Sequence, residues 1–426
     1  MIEEKEYKKR RDRFAEKLQK NSVAIFFAAT QKVRSNDTEF PYRQDSNFYY
    51  LTGFKEDNAA LVFVKKNAIS KVYMFVQKKD PTLELWTGKR LGVAKAKKIF
   101  FVNDVFTVER LNGQMKEFLA QKKNFYYDFK AQNEKIEQLK QLSKNILDYK
   151  NSASIVEKMR LIKSSAEIRL VKKALSITKE AHHKAMKISK NLFYEYELQA
   201  EIEYIFKKNG AYSDAYTSIV ASGDNANTLH YVDNSMELKK GDLILIDAGC
   251  EYGYYSSDIT RTIPVSGKFT QPQKELYQMV LDVEKKIISM IKPNILRSKL
   301  QQESEKLLCE GMVKLGILKG SAKKLLKEKA HKKYFPHGIG HYMGLDVHDQ
   351  NPYRDNKDKE IPLKAGMILT IEPGLYLPKD DKKIPKEYRG IGIRIEDDIL
   401  VTKDGHKNLS YDIKKEIKDI ETLSSL

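Results

Sequence analysis

Residues 242–262, "DLILIDAGCEYGYYSSDITRT", decide how the whole chain is read. A run of Leu and Ile over 243–246 ends on Asp247. A carboxylate at that point is too costly to bury without a partner. A glycine at 253 suits a reversal of direction, so the stretch predicts two paired strands folded there. Asp258 then falls on the strand opposite Asp247. Two acids held together on a hairpin repel one another unless a cation sits between them. The bland alternative is a pair of solvent-exposed strand-end aspartates.

Two more segments repeat the oddity. Glu372 in "ILTIEPGLY" (368–376) and Glu396 in "IGIRIEDDIL" (391–400) each follow a strongly apolar strand. Four carboxylates at such points suggest one acidic centre, whose charge two divalent cations would neutralise. The segment "HGIGHYMGLDVHD" (337–349) adds three histidines, His337, His341 and His348. Pro336, Gly338, Gly340 and Gly344 break any continuous helix, so the spacing of His337 and His341 does not put them on one helical face. The cluster is a fragment of a larger site, in which one histidine joins the carboxylates while others approach a substrate. Oxygen donors with one imidazole nitrogen suit manganese or cobalt; zinc fits as well, and calcium less so.

The remainder of the chain supplies the frame. At 426 residues it exceeds a typical single domain, which predicts two. Strand-like runs "SVAIFFAAT" (22–30), "AALVFVKK" (59–66) and "KVYMFVQ" (71–77) alternate with helical segments, an α/β pattern. Near residue 155 a polar stretch leads into a long helix. Ser164 and Glu167 form its capping box, and Ile168, Val171, Leu175 and Thr178 mark its apolar face. His182 and His183 lie inside that helix and read as packing or surface residues. "PQKELYQMVLDVEKKIISMI" (272–291) is an amphipathic helix stopped by Pro293.

The formal net charge is +19, but its basic residues are dispersed and interleaved with acids, so no nucleic-acid partner is expected. No apolar run approaches membrane-spanning length, and the charged start lacks the apolar core of a signal peptide. Two cysteines, Cys250 and Cys309, are too few for a disulfide framework. These features predict a reduced, cytoplasmic protein.

Over nearly its whole length the chain resembles the Xaa-Pro aminopeptidases (aminopeptidase P) of the creatinase/methionine-aminopeptidase superfamily, the pita-bread fold. The resemblance rests on "PYRQDSNFYYLTGF" (41–54), "LELWTGKRLG" (83–92), "KMRLIKSSAEI" (158–168) and "SIVASGDNANTLHY" (218–231). It rests equally on the hairpin, the histidine cluster, "TIEPGLY" (370–376) and "GIGIRIEDD" (390–398).

It implies a creatinase-like mixed-sheet α/β domain over 1–155 and a pita-bread catalytic domain over 156–426. By the resemblance two divalent ions bind per chain, manganese first and cobalt or zinc as alternatives. Asp247 chelates one ion, Asp258 and Glu396 bridge, and His341 and Glu372 hold the other. Glu372 is also the proton shuttle. His230 and His348 contact substrate and the developing oxyanion or amine, His337 and Tyr376 border the proline pocket, and Arg394 orients the carboxylates. Trp86 and Arg160 resemble residues that reach a neighbouring subunit's site in a homodimer or homotetramer; core packing is the plain reading of Trp86.

The activity implied is release of the first residue from peptides with proline second, by attack of a hydroxide bridging the two ions. The rival readings are an Xaa-Pro dipeptidase (prolidase) and, from another class, a metal-free pseudo-peptidase binding protein.

Overall fold

The three apolar runs of the N-terminal half become adjacent strands, Ser22–Phe27, Ala60–Lys66 and Ile69–Val76. They form the middle of a six-stranded mixed sheet in the computed structural model, which describes residues 2–130, 134–142 and 145–426. From edge to edge the order is Asp104–Thr107, Ile69–Val76, Ala60–Lys66, Ser22–Phe27, Asn124–Tyr127 and Asp148–Asn151. The three middle strands pair antiparallel and the outer ones join in parallel. Parallel neighbours need crossover connections. The helices Leu111–Leu119 and Glu134–Gln141 occupy them, and Met115, Leu119, Ile136 and Leu139 pack onto Val23, Ile25, Val62, Phe75 and Phe125.

The stretch before residue 163, expected to be a polar lead-in, is in part a helix, Ala153–Arg160. It buries Ala153, Val156 and Met159, a helical spacing that the surrounding Lys and Ser residues obscure. Arg160 is buried with them. Because this helix completes the first compact unit, Met1–Arg160, the break to the second, Leu161–Leu426, falls after Arg160 rather than near 155.

The second unit opens with the helix Ser165–Ile188, and its capping box is present: Ser164 accepts from the Glu167 N–H while Glu167 accepts from the Ser164 N–H. Val171, Leu175 and Thr178 are buried, as are Ala174, Ala181 and Ala185; Ile168 is half-buried. His182 is fully buried with Nε2 2.9 Å from the Ala248 carbonyl, a packing histidine.

The hairpin differs in detail from two simple strands. It is realised as four short ones, Leu243–Asp247, Cys250–Tyr252, Tyr255–Ser256 and Thr260–Pro264. The inner halves pair with Asp247 opposite Thr260, the outer halves with Tyr252 opposite Tyr255, and the two halves join different sheets. The bend between them depends on Gly249, where a Cβ would lie 1.9 Å from the Ser257 carbonyl oxygen. Gly253 and Tyr254 turn the chain with φ of 59° and 72°.

Ile219–Ser222 extends the inner sheet, and two further pairings, Ile368–Ile371 with Asp397–Val401 and Gly374–Leu377 with Ile391–Arg394, complete the frame of the site. The helix Gln271–Met290 ends shortly before Pro293 and buries Leu276, Val280, Leu281 and Ile287 in the main core. Among the described residues no helix is long and apolar enough to cross a membrane.

Candidate active site

Short antiparallel strands bring the four acids together. Asp247 is the last residue of its strand, and Asp258 sits in the bend two positions before Thr260, the cross-strand partner of Asp247. Ile371 pairs with Asp397, so Glu372 and Glu396 leave that ladder next to each other. The histidine segment runs alongside: the Thr370 N–H donates to the His341 carbonyl and the Glu372 N–H to the Ile339 carbonyl, each at 2.8 Å. A Cβ at Gly340 would meet the Thr370 carbonyl oxygen at 1.9 Å, so a glycine there allows this approach.

Among the described residues Asp258, His341 and Glu396 offer ligand atoms that all lie within 4.8 Å of one another. His341 Nε2 is 3.3 Å from Asp258 Oδ2 and 3.9 Å from Glu372 Oε1. Its Nδ1 is 3.1 Å from the Tyr342 carbonyl, which can only accept, so Nδ1 carries a proton and Nε2 faces the acids. Burial pushes the ring down, but Asp258 and Glu372 outweigh it and raise His341 to about 9. Burial raises Glu372 to about 7 and Glu396 well above the carboxylate range, with the neighbouring acids adding to both shifts. These groups hold protons where a cation would release them. The donor set therefore fits divalent metal ions.

Asp247 is served differently. Arg394 Nη2 donates to its Oδ2 at 2.6 Å and the Tyr216 hydroxyl to its Oδ1 at 2.5 Å. The Arg394 Nε reaches Thr260 Oγ1 at 3.1 Å, and that hydroxyl donates to Glu396 Oε2 at 2.9 Å. Arg394 Nη1 donates to the Tyr376 hydroxyl oxygen at 2.9 Å, and Tyr376 in turn meets His337 Nε2 at 2.8 Å. His337 Nδ1 lies 2.8 Å from the Gly338 carbonyl, so Nε2 is the acceptor. Burial, then the charge of Arg394, pushes this ring down to about 4 and keeps it neutral.

All five proposed ligands line one cavity of about 430 Å³. So do His230, His337, His348 and Arg394, with Ile219, Leu229, Val232 and Val347 as apolar wall. His348 stands edge-on to His341, ring centroids 4.3 Å apart, and His230 is exposed on the opening turn after Gly223–Asn227. Tyr376 is buried behind His337, in contact with the site through its hydroxyl. A larger groove of about 990 Å³ lies along the helices Gln271–Met290 and Arg297–Lys314, but no histidine lines it. The chemistry belongs to the smaller cavity.

Sequence reasoning missed Tyr216 and Thr260. Thr260 carried a signal, since the hairpin register places it opposite Asp247; Tyr216, in an unpatterned stretch, carried none. Trp86 is 84% exposed on the helix Pro81–Thr87, which overturns its reading as a core residue. Arg160 is 2% exposed and donates to Asn47 Oδ1 at 2.8 Å within its own unit.

Residues 169–403 match the model of metallopeptidase family M24, and residues 7–127 match that of the aminopeptidase P N-terminal domain. The chain is 40% identical over 422 residues to the Xaa-Pro aminopeptidase of Haemophilus influenzae, spanning 99% of this chain and 97% of that protein. It is 37% identical to Xaa-Pro aminopeptidase 3 of Homo sapiens, over 92% of this chain and 78% of the human protein. The solved structure of Escherichia coli aminopeptidase P with the inhibitor Pro-Leu aligns with a TM-score of 0.95 at 39% identity, covering 100% and 98% of the two chains. Proline aminopeptidase P II from Yersinia pestis aligns at 0.95 and 38%, covering 100% of both.

The chain belongs to metallopeptidase family M24, with the pita-bread fold. Within it the match extends through both units to the Xaa-Pro aminopeptidases, metal-dependent hydrolases, and neither the dipeptidase nor the metal-free binding-protein reading is favoured.

Proposed function

We propose that this protein removes the N-terminal residue from peptides whose second residue is proline. Two divalent ions, manganese by preference and cobalt or zinc as alternatives, would be held by Asp247, Asp258, His341, Glu372 and Glu396. The observation that carries the reading is the meeting of Asp258, His341 and Glu396 ligand atoms within 4.8 Å on the wall of a cavity that also holds Glu372, His230 and His348. Bound there, the ions would supply Lewis-acid polarisation of the scissile carbonyl and acidify a water at neutral pH.

The chain's own groups do the rest. Glu372 accepts a proton from the attacking water and passes it to the proline nitrogen. That nitrogen belongs to a tertiary amide without N–H, so it leaves only once it is protonated. His348 donates a hydrogen bond to the oxyanion, and His230 positions the substrate beside it. His337 with Tyr376 behind it borders the proline, and Arg394 holds Asp247 in orientation. The apolar wall of Ile219, Leu229, Val232 and Val347 excludes water from the substrate side chains. A homodimer or homotetramer in the cytoplasm is the proposed working form. The exposure of Trp86 supports a contact with a neighbouring copy, whereas the burial of Arg160 in its own unit gives no such support.

The test is elemental analysis of the purified protein, followed by assay of an Xaa-Pro-Yaa peptide before chelation, after it, and after manganese is restored. Two ions per chain and activity that follows the metal are expected. Full activity in rigorously metal-free protein overturns the proposal.

A further inference from the structure

The mechanism leaves unused a carboxylate that is completely buried. Glu195 opens the helix Glu195–Lys208 and is 0% exposed. Its Oε1 accepts from the Ser222 N–H and the Ser222 hydroxyl, each at 2.7 Å, and from Asn225 Nδ2 at 3.0 Å. Its Oε2 accepts from the Tyr231 hydroxyl at 2.8 Å and the Met236 N–H at 3.0 Å. The Glu195 N–H donates to the Met236 carbonyl at 3.0 Å.

Every one of these partners lies between Ser222 and Met236. The segment leaves a strand at Ser222, makes a 3₁₀ turn over Gly223–Asn227, and returns to the helix at Met236. Between the two anchor points stand Leu229, His230 and Val232, which line the cavity. The segment is polar, "GDNANTLHYVDNS"; Ala226, Leu229 and Tyr231 pack on Ile219, Ala221, Leu245 and Tyr376, and the buried Asn234 bonds to Val220, Ser218 and Gln199, but His230 itself is exposed. Hydrogen bonds to an ionised acceptor are about twice as strong as neutral ones, and a low-dielectric setting strengthens them further. One carboxylate thus clamps both arms of the loop.

We propose that Glu195 is the positioning residue of the His230 loop, setting the wall of Leu229, His230 and Val232 against the acidic centre. This rests on the reading of His230 as a substrate contact.

The substitution Glu195→Gln separates the two arms. Its amide oxygen can keep the Ser222 and Asn225 donors, while its NH₂ takes the place of Oε2. The Tyr231 hydroxyl can turn to accept, but the Met236 N–H cannot. Tyr231→Phe deletes a single hydroxyl from the same arm and keeps the test open should the first variant fold poorly. In metal-loaded protein, both are expected to raise hydrogen exchange over 228–236 by about tenfold, and to leave 337–349 as in the wild type. Both should lower kcat by about 10²-fold or less with little change in KM, the scale of a displaced catalytic contact. In a His230→Ala background the same changes should cost almost nothing more, because coupled residues are not additive.

Unchanged exchange in both variants overturns the proposal. So does a full additional kcat loss on top of a damaging His230→Ala. If exchange rises while His230→Ala alone keeps wild-type kcat, the clamp stands and the reading of His230 fails.

Discussion

Arg394 Nη2 and Asp247 Oδ2 lie 2.6 Å apart, both side chains nearly closed to solvent. The same guanidinium spans to Thr260 and Tyr376, so one planar fork orients a strand-end acid, a hydroxyl on Glu396 and the tyrosine behind His337. Lysine keeps the charge and loses the fork. Arg394→Lys is expected to lower activity or metal affinity by about 10–100-fold, the scale for residues that orient metal ligands. Manganese titration of activity measures it; a wild-type titration curve would show that the fork is dispensable.

His348 lies beside His341, yet outside the Asp258–His341–Glu396 group. His348→Ala should cut kcat by about 10²-fold or more, the scale of losing one oxyanion donor. Metal content should stay at the wild-type value. Parallel loss of metal and activity would make His348 a ligand instead.

Substrate length follows from the cavity's cations. Arg394 is the one Arg or Lys among the described lining residues, and it is engaged with Asp247, Thr260 and Tyr376. Burial pushes His337 and His348 down, so neither offers a ready cation. A dipeptidase needs a positive clamp for the carboxylate on its proline; an aminopeptidase does not. Xaa-Pro-Yaa should therefore be cleaved at the Xaa-Pro bond with kcat/KM at least equal to that of Xaa-Pro, at saturating manganese. A tenfold preference for the dipeptide, about 1.4 kcal/mol of transition-state discrimination, would reassign the substrate.

In metal-free protein burial raises Glu372 from 4.5 to about 7, with the nearby acids Asp258 and Asp247 adding to it against His341 and Arg394. A carboxyl whose folded pKa exceeds its unfolded one helps folding fully below the unfolded value and loses that help as pH rises through the folded one. Chelated wild type should thus lose stability relative to Glu372→Gln as pH climbs from 4.5 to about 7. Across that window the loss accrues at up to about 1.4 kcal/mol for each pH step of one. Thermal melts of both chelated proteins across the same range check it, and a pH-independent difference would contradict the buried acidic cluster.

Gly249→Ala places a Cβ 1.9 Å from the Ser257 carbonyl oxygen, in the bend between the two aspartates. The strands must part there, at a cost of about 1–3 kcal/mol or more. The melting temperature and metal affinity should fall together. A variant with wild-type metal affinity would show that the bend does not set the Asp247–Asp258 spacing.

Much of this was legible in the chain itself. The apolar runs at 22–30, 59–66 and 71–77 became neighbouring strands of one sheet; the first two are buried almost continuously, which is why they read as unbroken apolar runs and not as alternation. Asp247, Glu372 and Glu396 each announced themselves by ending or following an apolar strand, where a lone charge is unfavourable, and Asp258 by falling across the glycine turn from Asp247. Glycine and proline showed that the 337–349 segment is no helix. The helix Ala153–Arg160 was hidden, since its apolar spacing is sparse and lysines surround it.

What the linear sequence could not decide was which groups face one another. The alignment of Ile371 with Asp397, and hence of Glu372 with Glu396, follows from a strand pairing between distant parts of the chain. Tyr216 reaches Asp247, and Glu195 gathers Ser222, Asn225, Tyr231 and Met236, through packing that no local pattern encodes. Local periodicity reports the face a residue must bury. The partner it meets there depends on how separate elements dock, so the acids and histidines of the candidate site were readable as residue types from the sequence, while the hydrogen bonds that aim them belong to the tertiary structure alone.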